Sequence, residues 1–282
     1  MKDMPDSEVI HRLRILADKM RLKALEMAYR AGSTGAHIGP ALSCIEILAC
    51  IYGAFMAPGN DHTQFRCRNV FIPSKAHCVL SLYTALAYTG HFSEYELDTF
   101  ELDGSELTGH PVMNPTKGIE FSGGSLGMGP SQAIGLALAF RRKGLNGNVF
   151  VLLGDGECDE GAVWEAAMCA AHFKLDNIIF IIDKNKLQYD GPTEDILALG
   201  NLSDKFRSFG FDVNEVDGHN VEELYSTLRK LVSDRNQRPK AVVALTVKGK
   251  GVSFMENKKE WHHARLSKPQ YEMAVKELTS RT

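Results

Sequence analysis

Two short polar segments, each directly after an apolar run, carry the side chains best suited to chemistry. Gly154-Asp155-Gly156 follows the apolar run 148–153, and Asp183-Lys184-Asn185 follows the apolar run 177–182. The residues between the runs have the composition of a helix, so the pattern predicts a β-α-β unit with parallel strands. Because the carboxyl ends of parallel strands meet at one edge of a sheet, we expect Asp155 and Asn185 to lie side by side.

A carboxylate and an amide oxygen at neighbouring strand ends form an oxygen-only pair. Such a pair suits Mg²⁺ or Ca²⁺ better than Zn²⁺. Gly156 has no Cβ, so its backbone N–H can approach an anion where the chain enters the helix. Mg²⁺ commonly completes its coordination with phosphate oxygens and water. The segment therefore predicts a metal ion that ties a diphosphate to the protein.

The chain from residue 154 to residue 191 resembles the thiamine-diphosphate motif. The sequence GDGECDEG at 154–161 and the final Asp190-Gly191 narrow the resemblance to transketolases. The resemblance implies thiamine diphosphate as cofactor, bound through Mg²⁺ (or Ca²⁺). It implies metal ligands at Asp155, at Asn185 and at the backbone carbonyl of Leu187. It further implies cofactor contacts at Gly156, Glu157 and Asn185.

Several histidines match transketolase positions that face the substrate or the diphosphate. The resemblance implies that His37, in a glycine-rich loop, and His110, in Gly109-His110-Pro111, contact the sugar. His77 follows a predicted strand and matches a histidine at the diphosphate. In the tail, His263 is favoured as the histidine that touches both diphosphate and substrate, with His262 as the alternative. We expect His37, His110 and His263 to act as general acid–base groups.

Two further segments gain a meaning from the same resemblance. The glycine-rich loop 123–130 lacks the spacing of a dinucleotide fingerprint and has no strand before it. It corresponds to a transketolase loop at the thiazolium and aminopyrimidine, which implies cofactor contacts at Gly124, Ser125 and Leu126. Glu160 and Glu165 match glutamates at a subunit contact that pass protons between sites. The alternative is that both glutamates are ordinary acids of a solvated helix.

Composition excludes several classes of protein. The 282 residues are 44% hydrophobic and carry a net charge of −3 without a basic block, so neither nucleic acid nor a membrane surface is an expected partner. Met1–Asp6 lacks the apolar core of a signal peptide, and no run approaches a membrane span. Six cysteines without a Cys-x-x-Cys pair predict reduced thiols in the cytoplasm, with Cys158 as a spectator.

Strand and helix patterns alternate along the chain. We predict helices over 7–31, 41–55, 78–89, 131–142, 160–172 and 221–233, and strands over 69–73, 148–153, 177–182, 211–216 and 240–247. The segment 91–122 is predicted to be irregular. The fold class is therefore α/β, a doubly wound and mostly parallel sheet flanked by helices, in one diphosphate-binding domain over 1–282 with an N-terminal helical segment and a tail from about residue 252.

The resemblance covers only the first domain of transketolase. It implies a two-chain enzyme, in which a C-terminal, pyrimidine-binding subunit completes the active site and an α2β2 heterotetramer forms. The implied reaction transfers a two-carbon glycolaldehyde unit from a ketose phosphate to an aldose. The alternatives are the α subunit of a 2-oxo-acid dehydrogenase, a deoxyxylulose-phosphate synthase and a non-catalytic cofactor-binding paralogue. The histidine set favours the transketolase branch, because sugar hydroxyls need several hydrogen-bonding partners.

Overall fold

Five parallel strands form the centre of the protein. The computed structural model describes residues 4–57 and 69–280. Its strands lie in the order β1-β2-β3-β5-β4, and every neighbouring pair is parallel. Their bounds are β1 Val70–Pro73, β2 Val149–Gly154, β3 Ile178–Lys184, β4 Asp212–Asp217 and β5 Lys240–Leu245. The predicted parallel sheet is confirmed.

Helices cover both faces of this sheet, as a doubly wound fold requires. The helices are α1 Asp6–Arg30, α2 Ile38–Leu42, α3 Ile45–Cys50, α4 Val79–Tyr88, α5 Met128–Arg142, α6 Gly161–His172, α7 Thr193–Ile196, α8 Leu202–Ser208, α9 Val221–Ser233 and α10 Lys268–Thr279. On one face of the sheet Phe150 and Leu152 pack among helices α1, α3, α4 and α9. On the other face Val151 and Leu153 pack among α5, α6 and α8. Burying each such side chain contributes about 1.5–3 kcal/mol.

The helix predicted over 41–55 is wrong as a single element. The chain instead forms α2, a break at Ser43 and Cys44, α3, and a π-helical turn over Ile51–Phe55. The break has a physical reason, because the Ser43 hydroxyl donates to the carboxylate of Asp183 at 2.6 Å. A tertiary contact with β3 thus interrupts a locally favourable helix, and it brings His37 at the start of α2 close to the sheet edge.

The tail predicted from about residue 252 contains a helix that the apolar pattern did not reveal. Helix α10 is capped by Ser267, whose hydroxyl and backbone bond the side chain of Gln270 in a capping box. It packs on α1 through stacked rings of Tyr271 and Tyr29, 4.6 Å apart. The tail is therefore anchored to the N-terminal helix, which fixes residues 261–264 relative to the site.

Cysteine pairing agrees with the sequence prediction. The five cysteines in the described ranges are all free thiols, and Cys67 lies outside those ranges. Cys158 is buried, donates to the carbonyl of Gly154 at 3.4 Å, and has a thiol pKa raised by burial. Both observations favour the prediction that Cys158 takes no part in the chemistry. No helix in residues 4–57 or 69–280 has the length and apolar composition that crossing a bilayer requires.

Candidate active site

A cavity of about 330 Å³ opens at the carboxyl ends of β1, β2, β3 and β5. This is the edge where parallel sheets bind ligands. It brings together residues that are distant in sequence: the loop before α2, the turn after β1, the breaks after β2 and β3, and the tail. The lining includes His37, Lys75, His77, Leu126, Asp155, Gly156, Glu157, Asn185, Leu187, Gln188, Tyr189, Lys248 and His262.

Asp155 places a carboxylate in the wall of this cavity. The carboxylate is buried and accepts the backbone N–H of Gly156 at 2.9 Å and that of Lys186. Burial, followed by the negative charge of Asp183, raises the pKa of Asp155 to about 6. In the part of the chain that the structure describes, no cationic side chain forms an ion pair with it. Asp155 is therefore a buried acid that a bound cation would stabilise.

Asn185 and Leu187 lie directly beside Asp155, as the strand pairing predicts. Gly154 pairs with Asp183 in the sheet, and the chain then turns so that Lys186, with φ of 66°, presents its backbone N–H to Asp155. The Asn185 side-chain oxygen accepts the N–H of Leu187 at 3.1 Å. A carboxylate, an amide oxygen and a backbone carbonyl thus line one cavity, which is a donor set for a hard cation.

A buried ion pair supports this wall from below. The ammonium of Lys75 bonds the carboxylate of Asp183, the carbonyl of Pro40 at 2.8 Å and the hydroxyl of Ser43 at 3.1 Å. Burial raises the pKa of Asp183, but the charge of Lys75 and the hydrogen bonds from Lys75, Ser43 and Thr246 together lower that pKa below its usual value. Asp183 also accepts the side-chain N–H of Asn185 at 3.1 Å. The pair therefore fixes the orientation of Asn185.

Lys248 brings a second cationic group to the cavity. Its buried ammonium donates to the carbonyl of Leu187 at 2.9 Å, to that of Gln188 at 3.3 Å and to Nδ1 of His262 at 2.9 Å. Because Nδ1 accepts, His262 is neutral with its proton on Nε2. Burial, followed by the charge of Lys75, lowers the pKa of Lys248 to about 8. A bound anion would restore that charge, so this corner suits a phosphate group.

Glu157 lines the cavity and also binds the glycine-rich loop. Its carboxylate accepts from the hydroxyl of Ser74, from the N–H of Gly127 at 2.9 Å and from the N–H of Gly154 at 3.0 Å. Three protein donors thus satisfy this buried acid, whose pKa burial raises. The Glu157 carboxylate thereby links the loop to Ser74, which follows β1, and to Gly154, which ends β2. Of its predicted contact residues Leu126 lines the cavity, while Gly124 and Ser125 do not.

A second cleft of about 460 Å³ adjoins the first and shares His37 with it. His110 and His263 line this second cleft, and His262 lines the first. Paired backbone hydrogen bonds of 3.0 Å between Ala36 and Ala264 hold the loop of His37 against the tail. The predicted histidines therefore lie close together, with His262 in the first cavity and His263 in the second.

Glu160 and Glu165 lie on the surface near the start of α6. Glu160 is the residue before the helix, and its side chain packs against Gly127, where an added Cβ would approach to 2.7 Å. Neither glutamate lines the two cavities. They remain candidates for a contact with another chain.

The residues present fit a divalent cation and a diphosphate. Asp155 is a buried carboxylate without a cationic partner in the described ranges, and Gln188 Oε1 is a buried acceptor without a hydrogen bond there. A Cβ added to Gly156 would lie 2.8 Å from Gln188 Oε1. The absence of a side chain at Gly156 therefore lets Gln188 pack close to the backbone there. His77, Lys248 and His262 line the same cavity and can supply donors to phosphate oxygens.

Sequence reasoning assigned no role to Lys75, Asp183 or Lys248. Each is a single charged residue at a strand end whose partners come from other elements, so no local pattern marks it. The one available signal was position, because Asp183 and Lys248 both follow apolar strands at the edge where ligands bind. Tyr189 was also missed; its exposed ring lies 5.3 Å from that of His262.

Comparison with known proteins agrees with this geometry. A family profile described as "Transketolase, thiamine diphosphate binding domain" matches residues 12–280. The chain is 38% identical over 272 residues to one subunit of the apulose-4-phosphate transketolase of Phocaeicola vulgatus, covering 96% of this chain and 95% of that one. It is 40% identical over 242 residues to the 6-deoxy-6-sulfo-D-fructose transketolase subunit of a Clostridium species, covering 86% and 88%.

The fold matches that of a solved transketolase. The crystal structure of transketolase from Campylobacter jejuni superposes with a TM-score of 0.85 at 26% identity and covers 95% of this chain. The match extends over only 42% of that transketolase, so the chain spans about two fifths of its length. The doubly wound sheet is thus shared with part of a larger enzyme.

Proposed function

The chain belongs to the transketolase family, and from this premise we propose that it is the diphosphate-binding subunit of a two-chain transketolase. The observation that carries the proposal is that Asp155, Asn185 and Leu187 line one cavity together with Lys248 and His262. Oxygen ligands and anion donors share that cavity, as a metal-bound diphosphate requires. We propose that residues 1–282 form one domain in this role.

Thiamine diphosphate, when bound, supplies the nucleophilic carbon that the reaction needs. The chain's own residues bind and orient. Asp155, Asn185 and the carbonyl of Leu187 would hold Mg²⁺, and His77, Lys248 and His262 would donate to the diphosphate. His37, His110 and His263 surround the adjoining cleft, where they would hydrogen-bond sugar hydroxyls and move protons at those oxygens.

A partner chain with the pyrimidine-binding half would complete the site. Support comes from the Phocaeicola vulgatus relative, which is named as one subunit of its enzyme and is matched over 95% of its length. Large apolar side chains are exposed at the rims of the two cavities, with Tyr189 66% and Val112 56% exposed. Exposed apolar side chains at a cavity rim are suited to a protein contact. The assembly we propose is α2β2.

The proposed substrates are a ketose phosphate donor and an aldose acceptor. The relatives are named for apulose 4-phosphate, a ketose phosphate, and for 6-deoxy-6-sulfo-D-fructose, a ketose whose anionic group is a sulfonate. Apulose 4-phosphate is therefore the first donor to offer, and the sulfonate tests whether the anionic group must be a phosphate. The general pentose-phosphate sugars form the comparison group. We propose a reducing, cytoplasmic location on the free thiols of the described cysteines.

Co-purification with the candidate partner chain tests the assembly. The two chains, expressed together, should elute as one species whose mass by light scattering equals two copies of each. Glu160→Ala and Glu165→Ala should weaken it if these glutamates lie at the contact, while the exposed Glu272→Ala on α10 serves as the matched control. Separate elution of the two chains at micromolar concentration would contradict the proposal.

A further inference from the structure

Three histidine side chains converge from separate elements at the boundary between the two cavities. His37 begins α2, His77 follows β1, and His110 lies in the irregular segment before α5. One ring nitrogen of each can be chosen so that all three lie within 4.8 Å of one another. The ring centroid of His37 lies 4.4 Å from that of His77 and 5.3 Å from that of His110.

The nitrogens of these rings have no competing protein partner. Within residues 4–57 and 69–280, no hydrogen bond engages the side chain of His37, His77 or His110. Burial, followed by the proximity of His77, lowers the pKa of His37 to about 2. Burial, followed by His110, lowers the pKa of His77 to about 4. Both rings are therefore neutral near pH 7 and keep a lone pair for a ligand.

Three imidazole side chains select a different cation from the oxygen ligands of the same cavity. Imidazole nitrogen binds Zn²⁺ and similar borderline cations, whereas Mg²⁺ prefers the oxygens of Asp155 and Asn185. With Zn–N bonds of about 2.0–2.1 Å, tetrahedral ligands lie about 3.4 Å apart. Nitrogens that lie up to 4.8 Å apart must therefore approach by up to about 1.4 Å. His110 is the exposed member, on an irregular segment, so it is the ligand that closes this gap.

Charge around the three rings does not forbid a cation. Lys75 is paired with Asp183, and Lys248 directs its ammonium at the carbonyls of Leu187 and Gln188. Asp155 adds an acid to the same cavity. The remaining positive charge of Lys248 weakens cation binding without removing the ligands.

We propose that His37, His77 and His110 form a binding site for Zn²⁺ or a similar borderline cation, with water as the fourth ligand. A cation at this position lies between the cofactor cavity and the cleft of His110 and His263. It would therefore exclude a sugar from the histidines that are proposed to bind it. Zn²⁺ binding by the three histidines does not depend on the proposed function. The competition with sugar rests on that function, because it assumes that these histidines bind a sugar.

Calorimetric titration of the full-length chain with Zn²⁺ tests the site, in excess Mg²⁺ and without cofactor or sugar. The wild-type chain should bind one Zn²⁺, and His110→Ala should weaken that binding at least about tenfold, because a lost direct ligand exceeds the 10-fold lower limit for outer-shell partners. His172→Ala, a histidine of α6 away from both cavities, should leave Zn²⁺ affinity unchanged. Asp155→Asn, which removes the oxygen site and one nearby negative charge, should weaken Zn²⁺ binding less than His110→Ala does.

Co²⁺ in place of Zn²⁺ gives a second reading that does not depend on a variant. The wild-type complex should show the visible absorption of tetrahedral nitrogen and oxygen ligation without a thiolate charge-transfer band. Equal Zn²⁺ affinity in wild type and His110→Ala, or a thiolate band, would overturn the proposal. Because neither measurement involves turnover, a failed transketolase assay would not affect it.

Discussion

The side-chain N–H of Asn185 donates to the carboxylate of Asp183 at 3.1 Å, and this contact sets which way the amide faces. Asn185 turns its oxygen toward the loop of Leu187, whose N–H it accepts at 3.1 Å. Asp183 is itself held by Lys75, Ser43 and Thr246. Asp183, which lines neither of the two cavities, thus orients one of the proposed metal ligands.

Removing this acid should be costly. Asp183→Asn leaves the buried ammonium of Lys75 without its counter-charge, and breaking one side of a buried pair costs about 3–5 kcal/mol. The free energy of unfolding from urea titration is the measurement. The double variant Lys75→Met with Asp183→Asn should recover most of the loss, because no unpaired charge remains. An unchanged Asp183→Asn single variant would show that Lys75 is neutral in the folded chain.

Asp155→Asn should remove Mg²⁺-dependent cofactor binding. The carboxylate is the only formal negative charge in the proposed ligand set, and its loss should weaken thiamine diphosphate binding in Mg²⁺ at least about 100-fold, the upper end of outer-shell effects. Calorimetry with thiamine diphosphate, with and without Mg²⁺, measures this. Asp195→Asn, an exposed acid of α7, is the matched control and should bind as wild type. Retained affinity in Asp155→Asn would refute the metal assignment.

The same variant should be more stable than the wild type in the absence of metal and cofactor. The pKa of Asp155 is raised from 3.8 to about 6, so the folded chain binds this proton more tightly than the unfolded chain. Stability from this group is therefore lost as pH rises from about 4 to about 6. At neutral pH the loss is at most about 3 kcal/mol.

Urea titrations of wild type and Asp155→Asn on both sides of this pH window isolate the group, because all other titrations cancel in the difference. The stability gain of the variant should be near zero at about pH 4 and full at about pH 7. Added Mg²⁺ with thiamine diphosphate should reverse the order at neutral pH by stabilising only the wild type. A difference that is the same at both pH values would contradict the buried-acid interpretation.

His262 and His263 should have separable roles. His262 lines the cofactor cavity and bonds Lys248, so His262→Ala should lower thiamine diphosphate affinity. His263 lines the adjoining cleft, so His263→Ala should leave cofactor affinity unchanged and raise the KM for the sugar donor about tenfold, the value of one hydrogen bond. Paired calorimetry and steady-state kinetics on the completed enzyme decide. The opposite pattern would restore His263 as the diphosphate contact.

The sequence predicted the sheet, the cavity edge and the placement of Asp155 and Asn185 in one cavity, because these follow from strand patterns and from the geometry of parallel strands. It did not predict the break at Ser43, whose cause is a contact with Asp183 that lies 140 positions away. Helix α10 was missed although Ser267 and Gln270 are spaced as a capping box, a signal that was present in the sequence.

Side-chain orientation was the second limit. Glu157 lines the cavity, as the predicted cofactor contact requires, but the sequence did not reveal that Ser74, Gly127 and Gly154 donate to its carboxylate. The choice between His262 and His263 likewise depends on the pairing of Ala36 with Ala264, which no local pattern encodes. Contacts between distant segments decide both cases, and periodicity carries no information about them.

Ketol transfer should be measured with this chain alone and together with its partner chain, because the proposed two-chain transketolase is active only when both chains are present. Both preparations receive Mg²⁺, thiamine diphosphate, an aldose acceptor, and in turn apulose 4-phosphate, 6-deoxy-6-sulfo-D-fructose, common ketose phosphates and pyruvate. The account predicts turnover of at least one ketose donor by the mixture only, and none when the chain carries Asp155→Asn. Turnover by the chain alone, turnover of pyruvate, or no turnover of any ketose by the mixture would contradict it.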